Sequence, residues 1–451
     1  LDTDTLKPIQ GPSFFTAVQG LRQDGFLASV GNFWQTYGDL FQLKLGPRQL
    51  IFTIHPEAVR YINISNRKNY DKLGSYDAVR RYLIGDGLVA STGELWKRQR
   101  KLMAPFFTPR GVQNYAKIML RDGVVLIERW EALARSKQIV EMGEEMTLIT
   151  ASIILKTMFS TETDEAIIDM KEAVETMISF TTSQQQGLYP PVWFPTSRNR
   201  KYRSSQHKVH TYINQMIGQR RNIPESQWPD DLLTRLMQAQ DEDTGETMAE
   251  NLLRDESITT FFAGHETTAR TMSAAWYAIA SNPAVAAKLQ QELDTVLGDR
   301  YPTVEDLHNL PYTLQVIKEV LRLYPPAPFY ARDAVAQDSY DGFAIPAGSA
   351  IMLAPYYTHR HPDFWENPLQ FDPDRWTPER EAERHPYAYH PFATGQRICI
   401  GNNFSLLESH ILLALLAKRF TVRLEPGYAP QWEMKGVLNS ANGFPMQLKE
   451  R

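Results

Sequence analysis

Cys399 is the only cysteine in the 451-residue chain. No internal disulfide can brace the fold, so stability must come from an apolar core, for which the chain is long enough. A CxxC partner is also missing, which argues against structural zinc and thioredoxin-type redox chemistry. Two readings of the thiol survive: an inert cysteine in a turn, the usual fate of a lone one, or a reactive or metal-binding thiolate. Its surroundings favour the thiolate. Gly395 can take backbone angles closed to other residues, and Gly401 allows close approach of a flat ligand. Arg397 is a permanent cation suited to a carboxylate. The apolar run over 404–417 predicts a helix, and a thiolate just ahead of a helix N-terminus is stabilised by free N–H groups and the dipole.

The rest of the chain bounds what surrounds this loop. Hydrophobic residues make up 43% and charged residues 22%, as in an ordinary globular protein, and a net charge of -4 gives no reason to expect nucleic acid. The longest apolar runs, such as 411–417, fall short of the ~20 residues needed to span a bilayer. Residues 1–15 are polar and proline-bearing, unlike a signal peptide, and the expected location is the cytoplasm. Strand patterns appear at 40–45 and 49–54, parted by the turn Gly46-Pro47, and again at 330–336 and 349–354. Between residue 56 and about 325 the pattern is mainly helical. The fold class expected is therefore mainly α with a small β region drawn from both ends of the chain, in a single domain over 1–451.

Several motifs sit on this frame. A turn-rich segment holding Leu88 and Val89 precedes a basic helix in which Trp96 and Arg100, four apart, share a face; alone they would be a half-buried Trp beside a surface Arg. The helix over 251–281 carries Ala263, Gly264, His265, Glu266, Thr267 and Thr268. Thr267 stands four residues after Ala263, so its hydroxyl can take over that carbonyl and open a groove. Glu266 places an acid beside the alcohol, a path for protons. The bland alternative is a solvent-facing polar cluster. The sequence is not a zincin motif, because Ala269 stands where HExxH needs its second histidine. Glu319 and Arg322 are an i,i+3 pair, worth only about 0.2–0.5 kcal/mol on a surface. Pro325, Pro326 and Pro328 then force an extended path toward Arg332. The acidic stretch 238–250 receives no function.

Taken in order, WxxxR at Trp96, AGxET(T) at Ala263, ExxR at Glu319 and FxxGxRxCxG at Phe392 resemble the cytochrome P450 family over nearly the whole chain. Two departures are small: Ala393 stands where many members have Gly, and Ser405 where Ala is frequent. The resemblance implies the P450 fold and haem b held noncovalently, there being no CxxCH, with Cys399 as the metal-binding thiolate. It implies Trp96, Arg100, Arg332 and Arg397 as donors to the propionates, and Phe392, Gly395, Gly401, Leu88, Ala263, Gly264 and Phe404 against the cofactor. Glu266 and Thr267 become the catalytic pair that delivers protons during oxygen activation. Val89, Phe261, Phe262, Ala263, Pro328 and Phe329 become the lining of an apolar substrate pocket. Glu319, Arg322 and Arg375 form a structural charge network that holds the cysteine loop.

The activity so implied is insertion of one oxygen atom of O2 into a long, lipid-like molecule, a fatty acid or a terpenoid including carotenoids. No flavin or iron–sulfur module is present, so a separate ferredoxin- or flavodoxin-type electron donor with its reductase is expected, with the enzyme a monomer. Lys97, Arg98 and Lys101 are either a docking patch for an acidic carrier or a solvated surface. The break over 181–196, with Gly187, Leu188, Tyr189, Val192, Trp193 and Phe194, is a substrate entrance, a membrane contact or a simple hydrophobic anchor. The alternatives are a peroxide-driven peroxygenase and a haem-binding sensor or carrier without turnover; Glu266 and Thr267 speak against both.

Overall fold

The structure, a computed structural model, describes residues 6–45, 48–162, 166–186, 189–240, 245 and 247–451. Gly46, Pro47, Gly187, Leu188 and part of the acidic stretch 238–250 lie outside the described residues. The chain divides into two units, each assembled from separated segments.

The helical unit comprises Asp77–Ile317, Ile400–Ala429 and Gly443–Arg451. Its helices include α1 (Gly93–Met103), α2 (Glu250–Ser281) and α3 (Asn402–Arg419). Helix α2 is buried over most of its circumference, as expected of a helix that crosses a core rather than lying on it. It packs on the helix Met142–Phe159. Gly264 sets that approach: a Cβ there would come within 2.5 Å of Ile154 Cδ1. The missing side chain of Gly264 thus lets the two helices approach. Helix α3 runs past both ends of the predicted 404–417, because Gly401 caps it at φ -87 and the chain turns to a strand at Phe420. That strand, Phe420–Leu424, joins Pro445–Glu450 and Ile139–Glu141 in a three-stranded sheet with Pro445–Glu450 in the middle.

The second unit comprises Leu1–Tyr76, Lys318–Cys399 and Pro430–Asn442. Its sheet contains β1 (Leu40–Leu45), β2 (Arg48–Thr53), β3 (Tyr70–Asp71), β4 (Tyr330–Ala334) and β5 (Ala350–Leu353), in the order β1-β2-β5-β4-β3. The predicted strands are thus present, with the last two trimmed at their ends. Strand β2 runs parallel to β5, Ile51 opposite Ile351, whereas β4 is antiparallel to β5, with Arg332 opposite Ile351. Strand β3 adds the far edge, Asp71 opposite Asp333.

Phe41, Leu43 and Phe52 turn one face of the sheet into a core with Leu27, Val30, Phe33 and Tyr357. Phe329 belongs to this core. Its ring meets Phe26 at 5.3 Å and Phe52 at 6.0 Å, both edge to face, a geometry favoured by aromatic quadrupoles. Pro328 before it is also buried, its carbonyl accepting the Tyr356 N–H at 3.2 Å.

Candidate active site

The cysteine loop closes on itself. Phe392 carbonyl accepts the Cys399 N–H at 2.9 Å, and Gly395 carbonyl accepts that of Ile398 at 3.1 Å. Gly395 sits at φ +72, and a Cβ there would lie 2.3 Å from the Asn63 carbonyl oxygen, so only glycine fits. Ala393 is also left-handed, at φ 58. It occupies a conformation in which a side chain costs about 1–3 kcal/mol. The Cys399 residue itself is exposed.

Behind the loop lies a basic cluster. Arg397 is buried and its Nη2 donates to Asp71 Oδ1 at 2.5 Å. Arg332, also buried, points one nitrogen at the Ala331 carbonyl at 2.7 Å. Lys72 follows Asp71 off the end of β3, and Asp333 fixes the turn beyond by accepting the Leu73 and Ser75 N–H groups and the Ser75 hydroxyl. Burial, with Arg332 and Arg397 nearby, pushes the Lys72 ammonium well below its usual range, while Cys399 and Asp71 oppose the shift. Burial likewise lowers Arg397, against the pull of Asp71. Two buried guanidinium groups beside an amine whose protonation they oppose make a site that favours a further anionic group. Lys72 carries no motif, and only the pairing of β3 with β4 brings it here.

The ExxR pair is wholly buried. Glu319 takes a bidentate hydrogen bond from Arg322, both contacts at 2.8 Å. Arg322 also donates to the carbonyls of His359, Pro368 and Gln370 at 2.9, 2.6 and 2.9 Å. Arg375, the expected third member, brings Nε to 3.4 Å from Glu319, and Trp376 and the Asp372 N–H complete the carboxylate shell at 3.0 and 2.9 Å. A link to the cysteine loop runs through two histidines that spacing does not reveal. The Arg322 carbonyl faces His359 Nδ1 at 3.2 Å, and His359 Nε2 accepts the His390 N–H at 2.9 Å. That pattern assigns the proton of His359 to Nδ1.

In the helical unit, α2 opens at one point. Ala263 is exposed and Gly264 and Thr267 are half-buried, whereas Phe261, Phe262, His265, Glu266 and Thr268 are buried. The Thr267 hydroxyl donates to the Ala263 carbonyl at 2.9 Å, as the spacing predicts, although the helix continues unbroken. Glu266 is engaged: its Oε1 accepts from Arg270 Nε at 3.0 Å and Nη2 at 2.7 Å. Phe261, two residues and so about 200° around the helix from Ala263, stacks on His265 at 4.6 Å. That direction leads away from the exposed Ala263, and Phe262 stands nearer to it. Burial lowers the His265 pKa, so the imidazole is neutral.

Leu88 is buried, and its N–H donates to Glu256 on α2 at 3.0 Å; Val89 beside it is half-buried. Trp96 and Arg100 are both half-buried on α1, while Lys97, Arg98 and Lys101 are exposed, with Lys97 paired to Glu94 at 2.6 Å. Phe404 is buried against Tyr115, ring centroids 5.9 Å apart. Ser405 meets Thr268 hydroxyl to hydroxyl at 3.1 Å, a bond that alanine at this position would lack.

A sequence model of the family described as Cytochrome P450 matches residues 7–447. Cyclooctatin synthase of Streptomyces melanosporofaciens is 32% identical over 424 residues, 93% of this chain and 89% of that protein. Cyclooctat-9-en-7-ol 5-monooxygenase of the same organism is 32% identical over 410 residues, covering 89% and 85%. Among solved structures, a cytochrome P450DA heme domain superposes with a TM-score of 0.89 at 28% identity, covering 99% of this chain and 98% of that one.

Proposed function

The chain belongs to the cytochrome P450 family of haem-thiolate monooxygenases, and from that premise we propose that it inserts one oxygen atom of O2 into an apolar, lipid-like substrate, a fatty acid or a terpenoid. One relative is named for oxygenating cyclooctat-9-en-7-ol, by its name an unsaturated alcohol, which supports the second class. Electrons come from a separate ferredoxin- or flavodoxin-type donor and its reductase, and the enzyme works as a cytoplasmic monomer. The whole chain, 1–451, acts as one catalytic domain.

The observation that carries this reading is Cys399, exposed at the end of a loop closed by its own N–H and backed by Arg332, Arg397 and Lys72. Those residues fit haem b: a thiolate for the iron, and cations for the propionates, with Trp96 and Arg100 as further donors. Phe392, Gly395, Gly401, Leu88, Ala263, Gly264 and Phe404 would lie against the bound group. When bound, a thiolate-ligated haem supplies O–O bond cleavage and oxygen insertion.

The chain's own residues do the rest. The Thr267 hydroxyl, already held on the Ala263 carbonyl, turns outward at the open face of α2 to hand on a proton. Glu266 resupplies it through Oε2, the oxygen that Arg270 leaves free of hydrogen bonds. Val89, Phe262 and Ala263 keep the reacting region apolar and exclude water. Tyr189, Trp193 and Phe194 are exposed and serve as a greasy entrance or a membrane contact; no helix among the described residues is long and apolar enough to cross a membrane.

Two measurements test the proposal. The reduced carbon-monoxide difference spectrum should show a Soret band near ~450 nm, as thiolate ligation requires; its absence overturns the ligand. Spectral titration with a panel of fatty acids and terpenoids should give substrate shifts, and response to polar ligands alone overturns the substrate class.

A further inference from the structure

In the second unit an amine is brought up to two guanidinium groups and fastened there. Lys72 follows the end of β3, with Arg332 and Arg397 near enough to oppose its protonation. Like charges drawn together out of water repel, and each gives up solvation on the way. A flexible lysine stem ordinarily escapes that cost by turning its head to solvent.

The backbone around Lys72 is pinned on both sides. Its own N–H donates to Asp71 Oδ1 at 2.8 Å. Asp333, buried and directly across from Asp71 in the β3–β4 pair, accepts the Leu73 N–H at 2.9 Å, the Ser75 N–H at 3.2 Å and the Ser75 hydroxyl at 2.5 Å. The turn gathered in this way is closed by the Tyr76 N–H on the Leu73 carbonyl at 3.2 Å. It brings the Tyr76 ring to Lys72, whose Nζ lies 4.8 Å from the ring centroid, and a ring face attracts a cation. Arg332 is seated in the same manner, its Cζ 5.0 Å from the centroid of Tyr330.

A buried carboxylate is thus committed to the N–H and O–H groups of one short turn. The bland reading is a turn staple. A staple alone does not account for the lysine that this turn carries toward two arginines, an arrangement that is repulsive until an anion joins it. We propose that Asp333 is a positioning residue for the cofactor: by folding the 72–76 turn it sets Lys72 on Tyr76, where the ammonium takes a haem propionate. The inference rests on the haem reading above and goes beyond it, since Asp333 acts through Lys72 rather than on the bound group.

Loss of haem from the haem-loaded full chain to excess apomyoglobin, followed in the visible spectrum, tests the assignment. Two ligands are compared, haem b and its dimethyl ester, which lacks the propionate charges. Lys72→Met should release haem b about tenfold faster or more, as expected for one hydrogen bond to a charged group. Asp333→Asn and Ser75→Ala, each of which weakens the turn, should do so by about two- to tenfold, and neither should add to the effect of Lys72→Met. None of the three should alter loss of the ester. Ser75→Ala removes only a hydroxyl from Asp333 and decides the matter if Asp333→Asn does not fold. Acceleration of equal size with both ligands, or undiminished in the Lys72→Met background, means a staple only and overturns the positioning role. So does release of haem b at the unmodified rate in Lys72→Met or in both turn variants. If the full chain takes up neither ligand, the haem reading falls and the inference with it.

Discussion

His359 holds the backbone N–H of His390 on Nε2 at 2.9 Å while its Nδ1 faces the carbonyl of Arg322 at 3.2 Å. One imidazole thus ties the buried charge network to the first residue of the cysteine loop. His359→Leu leaves the His390 N–H unpaired and should cost about 1–3 kcal/mol in urea unfolding. The same variant should shift part of the carbon-monoxide difference band away from the thiolate position, a readout that loss of stability elsewhere would not move.

Removing the acid of the ExxR pair has a larger effect. Glu319 and Arg322 are both inaccessible to solvent, and Glu319→Ala strands a guanidinium in the interior. The expected loss is about 3–5 kcal/mol, enough to leave little folded protein at 37 °C, as soluble yield and denaturant titration will show.

Backbone conformation in the loop predicts two opposite results. Ala393→Gly releases a side chain from φ 58, and the relief offsets the greater entropy of an unfolded glycine, so stability stays level or rises by up to ~1 kcal/mol. Gly395→Ala meets both a positive φ and the Asn63 carbonyl, and should lose about 1–3 kcal/mol from conformation alone. Urea midpoints of the two variants should fall on opposite sides of the unmodified chain or, for Ala393→Gly, beside it.

Glu408 on α3 is buried, and burial, opposed by the neighbouring Thr268 hydroxyl, pushes its pKa well above the usual carboxylate value. The folded form keeps the proton that the unfolded chain gives up above about pH 4.5. Its contribution to stability is therefore complete at low pH and declines as pH rises through that value toward the folded pKa. His265, His359, His390 and His410, all held low chiefly by burial, act in the other direction but only below about pH 6.5. Groups common to both chains cancel in the comparison, so Glu408→Gln should gain on the unmodified chain as pH rises, by up to ~1.4 kcal/mol per unit. A constant difference in unfolding free energy as pH rises would refute the assignment.

Thr267→Val keeps the shape of the α2 face and removes the hydroxyl bonded to Ala263. Product formed per O2 consumed should fall about 100-fold, with substrate affinity unchanged and Thr267→Ser largely restoring coupling. Unaltered coupling in Thr267→Val would remove the alcohol from the proton path.

What could be read from the sequence was local. The strand patterns at 40–45 and 330–336, the helix carrying Ala263 and Thr267, the i,i+3 pair of Glu319 and Arg322 and the glycine at 395 each express a rule that acts within a few residues. What could not be read depended on partners far along the chain. The Cβ position of Gly264 faces Ile154 on another helix. Arg397 meets Asp71, 326 positions away, and no spacing rule reaches so far. Phe329 follows three prolines, and its ring packs edge to face on Phe52, far back in the chain.

The parallel pairing of β2 with β5 also sets a timetable for biosynthesis. Ile51 waits for Ile351, some 300 residues later, which at ~5–20 residues per second of synthesis is a delay of about 15–60 s. Throughout that interval the hairpin of β1 and β2 has an unpaired inner edge and carries Phe41, Leu43, Ile51 and Phe52 without their later partners. A nascent chain in this state is a ready client for ribosome-associated chaperones, and expression yield should respond to translation speed and growth temperature more than the finished fold would suggest.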